Sequence, residues 1–303
     1  MKFNKILAVV IMLALCCGCV GRTDMKKNEL ESISYKAYEK DLNLSDSKHR
    51  NTINKEYVMK DIKEIMDRGL LRVGMVVGDI EVFSNQTNGK LEGIDVDLSK
   101  GIADSLGVEL AINQTAKTYD DLATLLINGD IDLIISMYSM TANRATMLNF
   151  SEPYFTQNMS LIANKVWLAK NKIESNPLEY IVENSVKFGV FKGSAEADVV
   201  AELFPNAEVL EFSTNEELYG SIMHGDVQCG IAEETVCLAN FIKDPKLMIY
   251  EKAFIFSDKA DQYCIGVAPN KPGLLNFVNA YIKTQKQLEI EDIEKRCKKI
   301  YNY

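Results

Sequence analysis

A guanidinium can hold a carboxylate through two parallel hydrogen bonds. Arg144, at the end of the stretch Ser139-Met140-Thr141-Ala142-Asn143-Arg144, is one arginine of this chain that could do so. Two acids, Glu233 and Glu234, follow the apolar run 228–232, where a carboxylate is either solvated or available to a cation. Gly193-Ser194 leads into a helical pattern, and the first N–H groups of a helix, at the positive end of its dipole, suit an anion. Other chemistries lack their parts. His49 and His224 are the only histidines, and neither has the setting of a serine–histidine–acid hydrolase. Cys229, Cys237, Cys264 and Cys297 show no C-x-x-C spacing and no histidine at ligand spacing, so no metal and no other cofactor is expected. A disulfide among them would suit an oxidising compartment, and the sequence leaves its pairing open.

These groups must be positioned by 303 residues, enough for about two domains. A hydrophobic share of 47% with 25% charged residues excludes wholesale disorder and a fibrous repeat. Against 34 basic residues stand 43 acidic ones, a formal net charge of −9, so the chain has no electrostatic footing on phosphate backbones and nucleic acid is not an expected partner. Hydrophobic periodicity supplies the plan. Val58, Ile62, Ile65 and Met66 share one helical face, which Gly69 ends. Strands at 71–77, 109–113 and 131–136 then alternate with helices at 96–106 and 119–128, the βαβαβ unit of a doubly wound lobe. A second set follows: strands at 160–169, 187–191, 208–212, 228–232 and 247–250, a helix at 195–204, and a helix from Glu216 entered through the capping-box sequence Ser213-Thr214-Asn215-Glu216. A strand at 263–267 and helices at 274–284 and 290–301 close the chain. Two doubly wound α/β lobes of similar plan imply a cleft between them.

The front of the chain has a different character. Lys2 and Lys5 precede the apolar run 6–15, which has signal-peptide length and is too short to span about 30 Å of hydrocarbon. It ends in Leu15-Cys16-Cys17-Gly18-Cys19, which resembles a bacterial lipobox. Cys19, preceded by the small Gly18, is the expected acylation site, with Cys17 the alternative. Residues 1–19 are thus read as a lipoprotein signal, and the polar stretch 20–56 as a flexible tether. The body is expected outside the cytoplasm, in the periplasm or at the cell surface, anchored to the membrane by lipid.

Gly93-Ile94-Asp95-Val96-Asp97-Leu98, followed by Ile102, Ala103 and Leu106, closely resembles the signature of the amino-acid-type extracellular solute-binding proteins, which have the type 2 periplasmic-binding-protein fold and feed ABC transporters. Further blocks are similar to that family in order: Leu71-Arg72-Val73-Gly74, Asn128-Gly129-Asp130-Ile131-Asp132, Thr141-Ala142-Asn143-Arg144, Phe150-Ser151-Glu152-Pro153-Tyr154 and Cys264-Ile265-Gly266-Val267. The resemblance covers residues 57–303. It implies a first lobe of 57–156 with 262–303, a second lobe of 157–261, and a hinge of two chain crossings that closes on a ligand.

The same resemblance implies site roles. Arg144 takes the position of the carboxylate-binding arginine, and Ser139 and the backbone of Met137 serve the ligand's head group. Ser194 and Ala195 form the helix-start turn that meets the carboxylate, with Ala195 replacing a hydroxyl residue usual in the family. Glu233, or its neighbour Glu234, stands where an aspartate binds the ammonium, and Tyr119 stacks over the ligand. The family's acid in the first loop is replaced by Val76, so either Asp79 assumes that role through a different loop path or recognition of the ammonium is weakened. The implied function is reversible binding of a polar amino acid, delivered to ABC permease subunits, without enzymatic turnover. Two alternatives use the same scaffold: a cyclohexadienyl or arogenate dehydratase, with Glu233 or Asp79 as its acid, and a ligand-sensing module for a membrane receptor.

Overall fold

The computed structural model describes residues 57–76, 80–87, 90–175 and 177–301. The signal, Cys17 and Cys19, the tether, His49 and Asp79 lie outside the described residues. The first lobe opens with α1 (Lys60–Arg68), which ends on Gly69 at φ 71°, a left-handed cap that glycine reaches without Cβ strain. There follow β1 (Leu70–Gly74), a short hairpin of β2 (Asn85–Thr87) and β3 (Lys90–Glu92), α2 (Ile94–Leu106), β4 (Glu109–Asn113), α3 (Tyr119–Asn128), β5 (Leu133–Ile134), a 3-10 turn at Arg144–Thr146, and β6 (Asn149–Phe150). The late strand β12 (Gly266–Val267) joins this sheet, whose order is β4-β1-β5-β12-β6. β1 is parallel to β4 and β5, while β12 is antiparallel to β5 and β6. Leu71, Val73, Ile102, Leu106, Leu133 and Val278 pack in one buried cluster on this sheet.

The second lobe carries β7 (Phe155–Asn164), α4 (Lys165–Lys170), α5 (Leu178–Glu183), β8 (Lys187–Phe191), α6 (Glu196–Leu203), β9 (Glu208–Phe212), α7 (Asn215–His224), β10 (Cys229–Glu233), α8 (Glu234–Lys243), α9 (Leu247–Tyr250) and β11 (Glu251–Tyr263). Its sheet order is β11-β7-β10-β8-β9, around a core that includes Leu161, Phe188, Val190 and Ile231. β7 and β11 pair antiparallel from Phe155↔Tyr263 to Asn164↔Glu251, with an irregularity between Phe256 and Ala260. At their first-lobe end, the Tyr154 N–H donates to the Tyr263 carbonyl (3.0 Å), and Ser139 bridges Tyr263. These two strands are the crossings between the sheets.

Two helices end the described chain. α10 (Pro272–Thr284) packs on α1 in the first lobe. α11 (Ile290–Tyr301), grouped with the first lobe by sequence resemblance, lies against α8 of the second, and its Ile293 and Cys297 are buried with Val236, Ala239 and Ile242. A groove of about 570 Å³ runs beside the connection, lined by residues 153–156 and 285–288.

Two strand expectations give way to helix. The strand predicted at 160–169 begins earlier, at Phe155, and stops at Asn164, whose side-chain oxygen accepts the Trp167 N–H and caps α4. The apolar run 247–250 is one helical turn, entered after Asp244 accepts the Lys246 N–H. The four cysteines of the body are buried free thiols. Among the described residues there is no cluster of metal-ligating side chains, and no helix is long and apolar enough to cross a membrane.

Candidate functional site

The cleft floor begins at the carboxyl end of the first sheet. β5 leads into residues 136–140, where Met137 adopts φ 47°, a left-handed conformation unusual for a methionine. Asp95, the second residue of α2, secures this bend. Its carboxylate accepts the Met137 N–H at 2.8 Å and the Tyr154 hydroxyl at 2.9 Å, and the Met137 N–H also reaches the Tyr154 oxygen at 3.1 Å. Burial pushes the Asp95 carboxyl up to about 7, against the opposing pull of those two donors. Gly93 makes the approach of α2 feasible: at φ 138°, a Cβ there would lie 2.1 Å from the Phe83 carbonyl oxygen. The paired aspartates of Gly-Ile-Asp-Val-Asp, which by spacing suit only a helix dipole, thus include one long-range anchor.

Arg144 starts the 3-10 turn and is 6% exposed. Its Nη1 donates to the Ser139 carbonyl (3.0 Å) and its Nη2 to the Gly193 carbonyl (3.1 Å). The guanidinium carbon sits 4.4 Å from the Tyr138 ring centroid and 6.0 Å from that of Tyr119, within reach of both aromatic faces. Asp120 approaches it at 3.9 Å from the exposed rim. Gly193 belongs to the second lobe, so this one side chain ties the two lobes together. Tyr119 completes the contact edge-on to Phe191, with ring centroids 6.1 Å apart.

On the second lobe, the Ser194 hydroxyl donates to the Phe191 carbonyl (2.6 Å), shaping the turn before α6. Ala195 holds the N-cap position and supplies no side-chain cap, the consequence of its missing hydroxyl. Glu196 follows as the first helical residue and is 5% exposed, with Ser194 and Glu233 within side-chain hydrogen-bond reach. Glu233 ends β10 and is 8% exposed. Glu234 turns elsewhere, accepting the Asn158 side-chain amide at 2.9 Å, so of the two strand-end acids Glu233 faces the cleft. Asp261, on β11, accepts the Ser139 hydroxyl at 3.1 Å. Burial raises all three carboxyls, Asp261 to about 6, and the charges of Glu196 and Asp261 raise Glu233 further.

The structure therefore brings together Arg144, Ser139, Met137, Tyr119, Ser194, Ala195 and Glu233. It adds Glu196, Asp261, Asp95 and Tyr154, which sequence reasoning did not single out. Glu196 lies one residue beyond the Gly-Ser-Ala turn, and Asp261 two residues before Tyr263. Neither has a local spacing that marks it, because the proximity of both to Glu233 is made by the fold.

Two α/β lobes are joined by strand crossings, and a stacked guanidinium and a group of carboxyls meet between them. The chain belongs to the bacterial extracellular solute-binding proteins, family 3, which match residues 71–297. It is 29% identical over 210 residues to a glutamine-binding protein of Geobacillus stearothermophilus, covering 68% of this chain and 76% of that one. It is 28% identical over 236 residues to the ABC transporter glutamine-binding protein GlnH of Bacillus subtilis, covering 77% and 82%. The crystal structure of AbpA, an amino acid ABC transporter substrate-binding protein of Streptococcus pneumoniae bound to L-arginine, matches with a TM-score of 0.65 at 25% identity, covering 79% of this chain and 98% of that one. The fold is that of the type 2 periplasmic binding proteins, and the role is substrate binding in amino-acid transport.

Proposed function

We propose that this chain is the capture subunit of an ABC transporter: outside the cytoplasm it closes on an amino acid by bending at β7 and β11, then presents it to membrane permease subunits. A lipid on Cys19 holds it at the membrane. The observation that carries this reading is Arg144, rooted in the first lobe and bonded to Gly193 in the second, opposite buried carboxyls. A zwitterion between the lobes loses water from both charges, and each then needs a partner. Arg144, with the N–H groups at the start of α6, supplies one; Glu233 and Asp261 supply the other, and Asp79 is assigned to the same end. Ser139 and the Met137 backbone meet the head group, and Tyr119 covers it. Driving such a clamp from mostly open to mostly closed requires about 5 kcal/mol of ligand preference for the closed form. The names of the relatives differ in ligand, glutamine for two and L-arginine for a third, so the family leaves the side chain open.

The test is a thermal-shift screen of the amino acids, followed by calorimetry of those that raise the melting temperature. An α-amino acid should stabilise the chain, while its decarboxylated and its deaminated counterparts should not. Failure of every amino acid would refute the reading. Separately, Cys19→Ser should release the protein from membranes; release by Cys17→Ser alone would move the lipid to Cys17.

A second reading, dehydration of a cyclohexadienyl acid, draws on one observation: burial and neighbouring acids hold the Glu233 carboxyl well above its usual range, as a proton donor to a leaving hydroxyl needs. Incubation with prephenate or arogenate decides it. Formation of the aromatic product, lost in Glu233→Gln, would displace the transport reading.

A further inference from the structure

We propose that the cleft selects a dibasic amino acid, one of the lysine, ornithine and arginine class, with Glu196 as the residue that receives the side-chain cation. This inference rests on the amino-acid-binding reading above and specifies its ligand. Three carboxyls converge in the cleft from three different elements: Glu196 at the start of α6, Glu233 at the end of β10 and Asp261 on β11. Glu196 and Glu233 are among the buried acids of the described residues, and Asp261 is partly buried. Facing them is Arg144, the one buried cationic side chain among the described residues. It is already engaged with two carbonyl oxygens and the Tyr138 ring.

The polar atoms also divide unequally among these groups. Asp261 has the Ser139 hydroxyl, and Ser194 lies within reach of Glu196. One Glu196 oxygen, Oε2, is buried without any hydrogen-bond partner. So is the amide nitrogen of Gln157, although Asp261 is the carboxyl it lies against; the other end of that amide accepts the Thr235 N–H at 3.0 Å. A buried carboxylate oxygen without a donor is costly, and what it lacks is a donor, best a cationic one.

Charge bookkeeping then ranks the ligands. With one proton shared between Glu196 and Glu233, which lie within hydrogen-bond reach of each other, the three carboxyls carry two negative charges opposite Arg144. A neutral zwitterion then leaves one negative charge uncompensated, an acidic amino acid leaves two and a dibasic one leaves none. The exposed acids and bases at the rim, Asp120, Lys117 and Lys192, face water and are screened there. Discrimination against neutral and acidic side chains therefore comes from leaving buried negative charge without a partner, an effect stronger than a difference in shape. Glu233 and Asp261, beside Ser139, take the α-ammonium. Glu196 remains for the distal cation.

The experiment is calorimetry on the full chain, freed of co-purified ligand, titrated in turn with L-lysine, L-ornithine, L-arginine, L-glutamine and L-glutamate. At least one dibasic amino acid should bind ten-fold or more tightly than L-glutamine, with L-glutamate weakest. In Glu196→Gln, which keeps the shape and removes the charge, the affinity ratio of that dibasic ligand to L-glutamine should shrink at least ten-fold. Tighter binding of L-glutamine than of every dibasic ligand by the natural chain overturns the proposal and leaves the amino-acid-binding reading intact. An unchanged ratio in Glu196→Gln removes Glu196 from the assignment. If the variant does not fold, the ranking on the natural chain decides alone, and if no amino acid binds, the reading beneath the proposal falls with it.

Discussion

The two ends of the cleft are built in opposite states. At the guanidinium end the charged and backbone groups have partners, although the Tyr138 hydroxyl is buried without one: Arg144 bonds two carbonyls and stacks on the Tyr138 ring, and the Met137 N–H is shared between Asp95 and Tyr154. At the acidic end, three carboxyls from separate elements crowd together and one oxygen of Glu196 has no donor. On the binding role proposed above, the first arrangement is a preorganised receptor, whose hydrogen bonds are set before a ligand arrives. The second is one that a cation would complete. A clamp with both halves satisfied would have little reason to prefer its loaded state. The imbalance between the halves gives the ligand something to stabilise.

The comparison is broken most severely at its satisfied end. Arg144→Ala should weaken binding by about 3–5 kcal/mol, because the ligand carboxylate is then buried without its partner, and calorimetry would read this as a loss of a hundred-fold or more. An affinity within a factor of three of the natural chain would remove Arg144 from the site. Asp95→Ala acts one step further back. It deprives Met137 and Tyr154 of their buried acceptor, so it should cost about 2 kcal/mol of stability in a denaturant titration. It should also lower affinity about ten-fold by loosening the bend at φ 47°. A stability loss with unchanged affinity would reduce Asp95 to a packing role.

Proton linkage tests the contrast without mutation. Burial raises Asp261 to about 6, Asp95 to about 7 and Glu251 to about 8. Between the ordinary carboxylate range and those values, the folded chain keeps protons that the unfolded chain has lost. The stability of the ligand-free protein should therefore fall as pH rises from about 4 to 8. A saturating cationic ligand should flatten the part of that slope that comes from the cleft. Thermal melts at constant ionic strength would show it, and a ligand-free stability that climbs across this window would contradict the burial of these groups. The smallest effect belongs to the rim, where Lys243 on α8 meets Glu81 of the first lobe at 3.0 Å while more than half exposed. Lys243→Ala should shift binding by under about 1 kcal/mol, and less still at high salt.

The alternation of strands and helices was legible because each element carries its own period. The αL glycines at 69, 107, 129 and 225 end helices where a sequence stop signal stands. The crossings were harder. β7 begins in the Phe155-Thr156-Gln157-Asn158 stretch, whose polar residues disguise a strand that pairs with β11 on one edge and β10 on the other. The apolar 247–250 segment has a strand's composition and too few residues for any period to arbitrate, so local hydrogen bonding at Asp244 settled it as a turn of helix. In the site, Arg144 and the Gly193-Ser194 turn stand within recognisable local blocks. Glu196 and Asp261 do not: their meaning depends on closing the chain over long separations, which no local pattern records. The difference in surroundings between Glu233 and Glu234, whose carboxylate accepts the Asn158 amide, is likewise made by the fold and not by the local sequence.

The seating of α11 on α8 makes the tail a strap. α10 packs on α1 in the first lobe and α11 on α8 in the second, so the backbone passes between them a third time through residues 285–289. Five residues pulled straight reach about 17 Å, which sets a ceiling on how far those two helices can part before one is torn from its bed. In the clamp proposed above, the gape of the empty jaw is thus limited at the back by a leash, whatever freedom the two paired strands allow at the front.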